Sequence, residues 1–88
     1  MKRIRFTIDA PGAKKVMLVG DFTNWEARAR PMRRAKSAGS TFSATVSLAP
    51  GAYQYKFIVD KHWLEDPKAH ESVPNPFGTQ NSVLRVSG

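Results

Sequence analysis

Two tryptophans stand where a strand core does not need them. Trp25 ends the run Val19-Gly20-Asp21-Phe22-Thr23-Asn24-Trp25, and Trp63 follows Asp60-Lys61-His62, just past the alternating stretch Tyr55 to Val59. Both have polar flanks, Thr23-Asn24 before one and Lys61-His62 before the other. A large aromatic in such a place either caps the core, as most tryptophans do, or presents a flat apolar face with one N–H donor at its edge. The second kind of surface is complementary to the axial C–H face of a glucose ring, and two such platforms would hold successive sugars. Lys56 lies opposite Tyr55 and Phe57 by alternation, hence away from the core those two build. It is either an ordinary solvated lysine or a donor to sugar hydroxyls, for which three N–H groups on a flexible stem are suited. Thr79 and Asn81 share a strand face and offer donors and acceptors. Turn chemistry around Gly78 would also account for the composition of that stretch.

Other chemistries find little support. Asp60, Glu65 and Asp66 supply the carboxylates that glycoside hydrolysis uses, but they crowd one short segment around a turn. His62 and His70 have no third ligand at a metal-binding spacing. There is no cysteine, so neither a disulfide nor a thiolate metal site is possible. No Ser-His-Asp set, phosphate loop or dinucleotide fingerprint occurs, and 88 residues cannot form the roughly 250-residue barrel of many carbohydrate enzymes. The expectation is a non-enzyme with no catalytic residue, no metal ligand and no cofactor.

The charge is one-sided. Residues 1–36 hold ten Lys or Arg against three acids, whereas residues 37–88 hold four of each. The net charge of +7 therefore belongs to the first part of the chain. Its densest run is Arg28, Arg30, Arg33, Arg34 and Lys36. Edge strands carry such charges to block unwanted pairing, and the same run could meet an acidic protein partner or a phosphate. A small basic nucleic-acid binder of barrel type would place aromatics on a strand surface among cations. Tyr53, Tyr55 and Phe57 instead share a face with Val59 and read as core, so nucleic acid is not the expected partner. No apolar run approaches the roughly 20 residues that span a bilayer. The N-terminal Met-Lys-Arg-Ile-Arg-Phe leads into alternation, not into an apolar signal region. A cytoplasmic protein without a membrane partner is expected.

The elements that must position these residues read as strands. Ile4, Phe6 and Ile8 alternate with Arg3, Arg5 and Thr7. Phe42, Ala44, Val46 and Leu48 alternate with Thr41, Ser43, Thr45 and Ser47. Tyr53, Tyr55, Phe57 and Val59 alternate with Gln54, Lys56 and Ile58. Lys15 to Gly20 and Gln80 to Val86 are further strands, and Pro31 to Arg34 suits a short edge segment, where proline is tolerated. Ala49-Pro50-Gly51 predicts a hairpin between Thr41–Leu48 and Ala52–Val59. Asp66-Pro67 and Pro74-Asn75-Pro76 mark a long loop before the last strand. Phe6, Phe22, Phe42, Tyr53, Tyr55 and Phe57 supply core aromatics without either tryptophan. The fold class is all-β, an immunoglobulin-like antiparallel β-sandwich of six to eight short strands, with a small barrel as the alternative. Residues 1–88 read as a single module.

The order of these motifs resembles the family 48 carbohydrate-binding module. The resemblance runs from about Phe6 to Val86 through Val19-Gly20-Asp21-Phe22-Thr23-Asn24-Trp25, Leu48-Ala49-Pro50-Gly51-Ala52-Tyr53-Gln54-Tyr55-Lys56-Phe57-Ile58-Val59-Asp60, Trp63, Asp66-Pro67 and Phe77-Gly78-Thr79-Gln80-Asn81. That family includes the glycogen-binding domain of the AMP-activated protein kinase β subunit and the N-terminal modules of starch-branching and debranching enzymes. The resemblance implies an immunoglobulin-like sandwich that binds α-1,4-linked glucans such as glycogen, starch or maltooligosaccharides. Trp25 and Trp63 match the stacking tryptophans, Lys56 the hydrogen-bonding lysine, and Thr79 and Asn81 the late loop element, where Phe77 replaces the family's leucine and borders the site. A regulatory or protein-interaction role within a kinase or glucan-enzyme complex is the alternative it allows. Lys61 stands where the family often has glycine. If the turn there needs a positive φ, Lys61 is strained and Trp63 is set at a different angle.

Overall fold

The computed structural model describes residues 1–34 and 39–87. Among them, nine strands run in the order β1 (Lys2–Asp9), β2 (Val16–Gly20), β3 (Arg30–Pro31), β4 (Arg33–Arg34), β5 (Thr41–Leu48), β6 (Gly51–Val59), β7 (His62–Leu64), β8 (Ser72–Pro74) and β9 (Gln80–Val86). Two 3-10 turns, Asp21–Thr23 and Trp25–Arg28, follow β2. One sheet has the order β1–β5–β4. The other has β3–β2–β6–β9–β8, with β7 paired to β6. All pairings are antiparallel. The expected immunoglobulin-like sandwich is the fold. It has nine described strands in place of the expected six to eight, because residues 30–34 divide into two two-residue strands and His62–Leu64 and Ser72–Pro74 add three-residue ones.

The alternation seen in the sequence sorts the side chains. Phe6, Ile8, Leu18, Phe42, Leu48, Tyr55, Phe57 and Val86 are buried between the sheets. Phe6 stacks on Phe22 at 5.4 Å and meets Tyr55 edge-on at 5.1 Å. Phe22 meets Tyr53 at 6.1 Å and Tyr55 meets Phe57 at 5.8 Å. Edge-to-face contacts of this kind add to the burial energy. All six expected core aromatics join this cluster, Phe22 and Tyr53 as partly buried members.

Three local expectations are corrected. Ala49-Pro50-Gly51 does not close a hairpin, because β5 and β6 belong to different sheets. It is a corner between the layers, braced by the Tyr53 hydroxyl donating to the Ala49 carbonyl at 2.7 Å. Turn residues mark where the chain reverses but not which layer it enters. The Pro31–Arg34 segment is likewise not one edge strand. It changes sheets at Met32, which is buried and donates its N–H to the Val16 carbonyl at 2.9 Å. Finally, Trp63 is not past the strands. It sits in β7, directly opposite Ile58. No described helix is long and apolar enough to cross a membrane.

Candidate functional site

Trp25 is placed by the turn after β2. Gly20 is required there by space, because a Cβ would stand 2.6 Å from the Gln54 carbonyl oxygen and 2.9 Å from Tyr55 Cβ. Phe22 points into the core, while the Thr23 hydroxyl accepts from the Gly20 N–H at 2.9 Å. The Thr23 hydroxyl also donates toward the Trp25 carbonyl at 2.9 Å, with the Gly20 carbonyl at 3.1 Å. Asn24 and Trp25 both have positive φ, 52° and 55°. Asparagine tolerates that region, whereas a bulky side chain there is strained. Asp21 completes the turn by accepting the Gln54 N–H at 2.8 Å.

Trp63 is placed by the β6–β7 hairpin. Val59 pairs with His62 across the two-residue turn Asp60-Lys61, whose φ angles are 46° and 74°. Such a turn matches strand twist and demands positive φ at both positions. Lys61 therefore occupies the strained position considered above. The Asp60 carboxylate anchors the turn by accepting from the Lys14 and Lys15 N–H groups at 3.0 and 2.8 Å. Trp63 is 41 % exposed, whereas Trp25 is half-buried.

Lys56 lies on the side of β6 away from the core, yet it is buried. Its β2 neighbour in register, Val19, is also buried. The 3-10 turns pack over β2, and the loop before β9 closes over β6. Lys56 Nζ donates to Thr79 Oγ1 at 3.0 Å. Asn75 organises that loop. Its Nδ2 donates to Thr79 Oγ1 at 2.7 Å and to Asn81 Oδ1 at 3.0 Å, and its Oδ1 accepts from the Phe77 and Thr79 N–H groups. Gly78 supplies the positive φ of 83° that lets the loop reverse. Asn81 Nδ2 donates to Gln54 Oε1 at 3.1 Å.

These pieces open onto one groove of about 690 Å³. All six residues singled out in the sequence line it: Trp25, Lys56, Trp63, Phe77, Thr79 and Asn81. Phe77 stands at the rim, 89 % exposed. The groove thus has two indoles, one from the 3-10 turn after β2 and one from β7, and a connected polar network in its lining. Thr79 Oγ1 accepts two hydrogen bonds, from Lys56 and Asn75. Its own O–H must then donate elsewhere, and the groove is where an acceptor can be offered. Sequence reasoning missed Asp21, Glu26, Asn75 and Pro76 as lining residues. For Asn75 the Asn-Pro-Phe-Gly turn chemistry was a usable signal. Gln54 was already on the Lys56 side by alternation.

Asp60, Glu65 and Asp66 do not line the groove. Asp66 accepts the Tyr55 hydroxyl at 2.6 Å, and burial together with that bond pushes the phenol well above its ordinary range. Among the described residues, no three His, Cys, Asp or Glu side chains are grouped to hold a metal. In the basic run, Arg30 donates to the Thr45 carbonyl. Arg34 donates to the Ala13 carbonyl and lies over the Phe42 ring at 5.3 Å. Arg28 and Arg33 are exposed, and Lys36 lies outside the described residues.

Residues 3–88 match the family described as the glycogen recognition site of AMP-activated protein kinase. The chain belongs to that family. As a glycogen-recognition module it is 37% identical over 75 residues to the 5'-AMP-activated protein kinase subunit beta-1 of Sus scrofa, covering 85% of this chain and 57% of that one. The Rattus norvegicus subunit beta-1 matches at the same identity over 26% of its length. The 1,4-alpha-glucan branching enzyme GlgB 2 of Rhizobium etli is 47% identical over 60 residues, covering 67% of this chain and 8% of the enzyme. The module therefore spans only part of each of these relatives. The solved structure of a maltogenic amylase from S. marinus aligns with a TM-score of 0.78 over 98% of this chain and 14% of that one, at 23% identity, a likeness of fold.

Proposed function

We propose that the groove binds α-1,4-linked glucans, with residues 1–88 acting as one non-catalytic carbohydrate-binding module in the cytoplasm. Trp25 and Trp63 stack on glucose rings of one chain. Lys56, Thr79 and Asn81 hydrogen-bond their hydroxyls, and Phe77 borders the sugar. The observation that carries this reading is the shared groove: two indoles and the Lys56–Thr79–Asn75–Asn81 polar network line it together. The pairing of apolar faces with a few fixed polar groups is what a sugar ring presents in reverse.

The energetics favour weak binding. If each indole removes about 100 Å² of apolar surface from water, the pair contributes roughly 5 kcal/mol gross at about 25 cal/mol per Å². Ordering a flexible glucan offsets part of that. Hydroxyls already hydrogen-bonded to water gain little net. The dissociation constant then falls near the millimolar range, an affinity that a repeating polymer raises through multivalency. Calorimetric titration with maltoheptaose or β-cyclodextrin tests this directly, and a wild-type chain that takes up neither rejects it. Binding to a neutral glucan also holds steady as salt rises, whereas nucleic-acid binding falls steeply. A contact with an acidic protein through the basic segment is the second reading. It is favoured by the exposure of Arg28 and Arg33.

A further inference from the structure

β1 leaves one edge of the smaller sheet open. The order β1–β5–β4 puts β5 on one side of it and, among the described residues, no strand on the other. The other edge strands are blunted by length: β3 and β4 have two residues each and β8 has three. β1 has eight. A long unpaired edge is a template for another strand. Beside it opens a second cavity of about 420 Å³, between β1 and β9. Ile4, Phe6 and Leu84 give it apolar lining, and Arg5 and Lys68 stand at it as cations. Its two acids are already engaged. Asp66 accepts the Tyr55 hydroxyl, and Glu71 is held by Arg85 through bonds of 2.7 and 2.9 Å. The Arg85–Glu71 contact is the one ion pair within 4 Å among the described residues. Arg3 and Arg5 face only Ser47 and Thr45 across the β1–β5 ladder.

From this juxtaposition we infer that β1 is a docking edge for an extended acidic segment of a partner polypeptide, added as a further strand to the β1–β5–β4 sheet. Backbone pairing gives such a complex its affinity, and alternate side chains give it specificity. Residues of the added strand beside Arg3 and Arg5 are acidic, because opposite charges attract across a ladder. Residues beside Ile4 and Phe6 are apolar and enter the cavity. The partner therefore alternates acid and apolar residues. A second copy of this chain brings three cations and a single acid, Asp9, in its β1, so it complements this edge less well than an acidic segment does. Nucleic acid has charge but neither strand backbone nor apolar side chains. The β1–β5–β4 sheet contributes nothing to the indole groove, so the inference stands apart from the sugar-binding reading.

The test is an NMR titration of the ¹⁵N-labelled chain with a synthetic peptide of about eight alternating Glu and Val residues, long enough to pair along β1. Expected are shifts concentrated in β1 and the residues around the cavity. A peptide N-methylated at alternate positions, or one with its acids and valines in separate blocks, binds about tenfold more weakly or worse. Arg5→Glu also weakens binding about tenfold, since charge reversal affects neighbouring pairs, while the amide spectrum outside β1 stays that of the wild type. Three results overturn the inference: no shift at about 2 mM peptide, equal binding of the N-methylated or blocked peptide, or tighter binding of single-stranded DNA to the same amides.

Discussion

Trp25 and Trp63 line the same groove but are held in different ways. Trp25 follows a turn fixed from several sides. Gly20 fits where no other residue would, Phe22 is locked in the aromatic core, and the Thr23 hydroxyl ties Gly20 to Trp25. That scaffold holds two successive residues at positive φ, a conformation that costs on the order of 1–3 kcal/mol for a bulky side chain. Trp63 sits on a three-residue strand hung from β6 by a two-residue turn, and its strand neighbours His62 and Leu64 are exposed. One platform follows a turn pinned to the core by Phe22. The other is carried on a short hairpin. Rigid placement raises affinity by lowering the ordering cost of binding, so the two indoles should contribute unequally.

The largest test removes the rigid platform. Trp25→Ala deletes about 100 Å² of stacking surface, worth about 2.5 kcal/mol, and maltooligosaccharide binding should fall about 50-fold or vanish from calorimetry. Unchanged affinity would mean that Trp25 is only a cap on the turn. Thr23→Val keeps the indole and removes its tie. The buried Gly20 N–H then loses its acceptor, which costs about 1–3 kcal/mol of stability. The released turn should weaken glucan binding about tenfold. Chemical denaturation and titration of the same variant read the two effects separately. Lost stability with full affinity would show that the turn needs no hydroxyl to aim Trp25.

The long strands were legible in the sequence because each spans enough residues to display alternation, as in Thr41–Leu48. β7 and β8 are too short for that, with three residues each. Their pairing is set by turns and neighbours, not by their own pattern. The six candidate residues were singled out by their flanks, strand faces and motif order, and they line one groove. The burial of Lys56 was not legible. Alternation put it correctly on the outer side of β6, where a solvated lysine is the usual outcome. It is covered because a loop more than twenty residues later folds over it through Thr79. Asn75, which organises that loop, reads in sequence as one turn residue among several. Its four side-chain bonds depend on the loop's closure. The sheet change at Met32 escaped the sequence for the same kind of reason. A single buried methionine between short arginine-bearing segments carries no periodic signal.

Trp63→Ala should cost less than the loss of Trp25, about tenfold in affinity. The apolar surface lost is similar, but fixing the β7 side chain on binding cancels on the order of 1 kcal/mol of its contribution. A loss equal to that of Trp25→Ala would erase the distinction between the platforms.

The smallest effect is the most diagnostic for the hairpin. Lys61 has φ of 74°, a region that costs an L-residue roughly 1–2 kcal/mol. Lys61→Gly relieves that strain but adds freedom to the unfolded chain, which takes back about 0.5–1 kcal/mol. The balance is a stabilisation of about 0.5 kcal/mol, visible as a rise of about 2–4 °C in melting temperature for a domain of this size. The turn is already anchored by Asp60 accepting the Lys14 and Lys15 N–H groups, so Trp63 should keep its position and glucan affinity should change less than about twofold. If melting rises and affinity rises well beyond that, strain at Lys61 was holding Trp63 away from its stacking pose. Trp63 would then approach Trp25 in worth once the turn relaxed, because the two platforms would differ in the residue that closes one hairpin rather than in how firmly the turn before each is held.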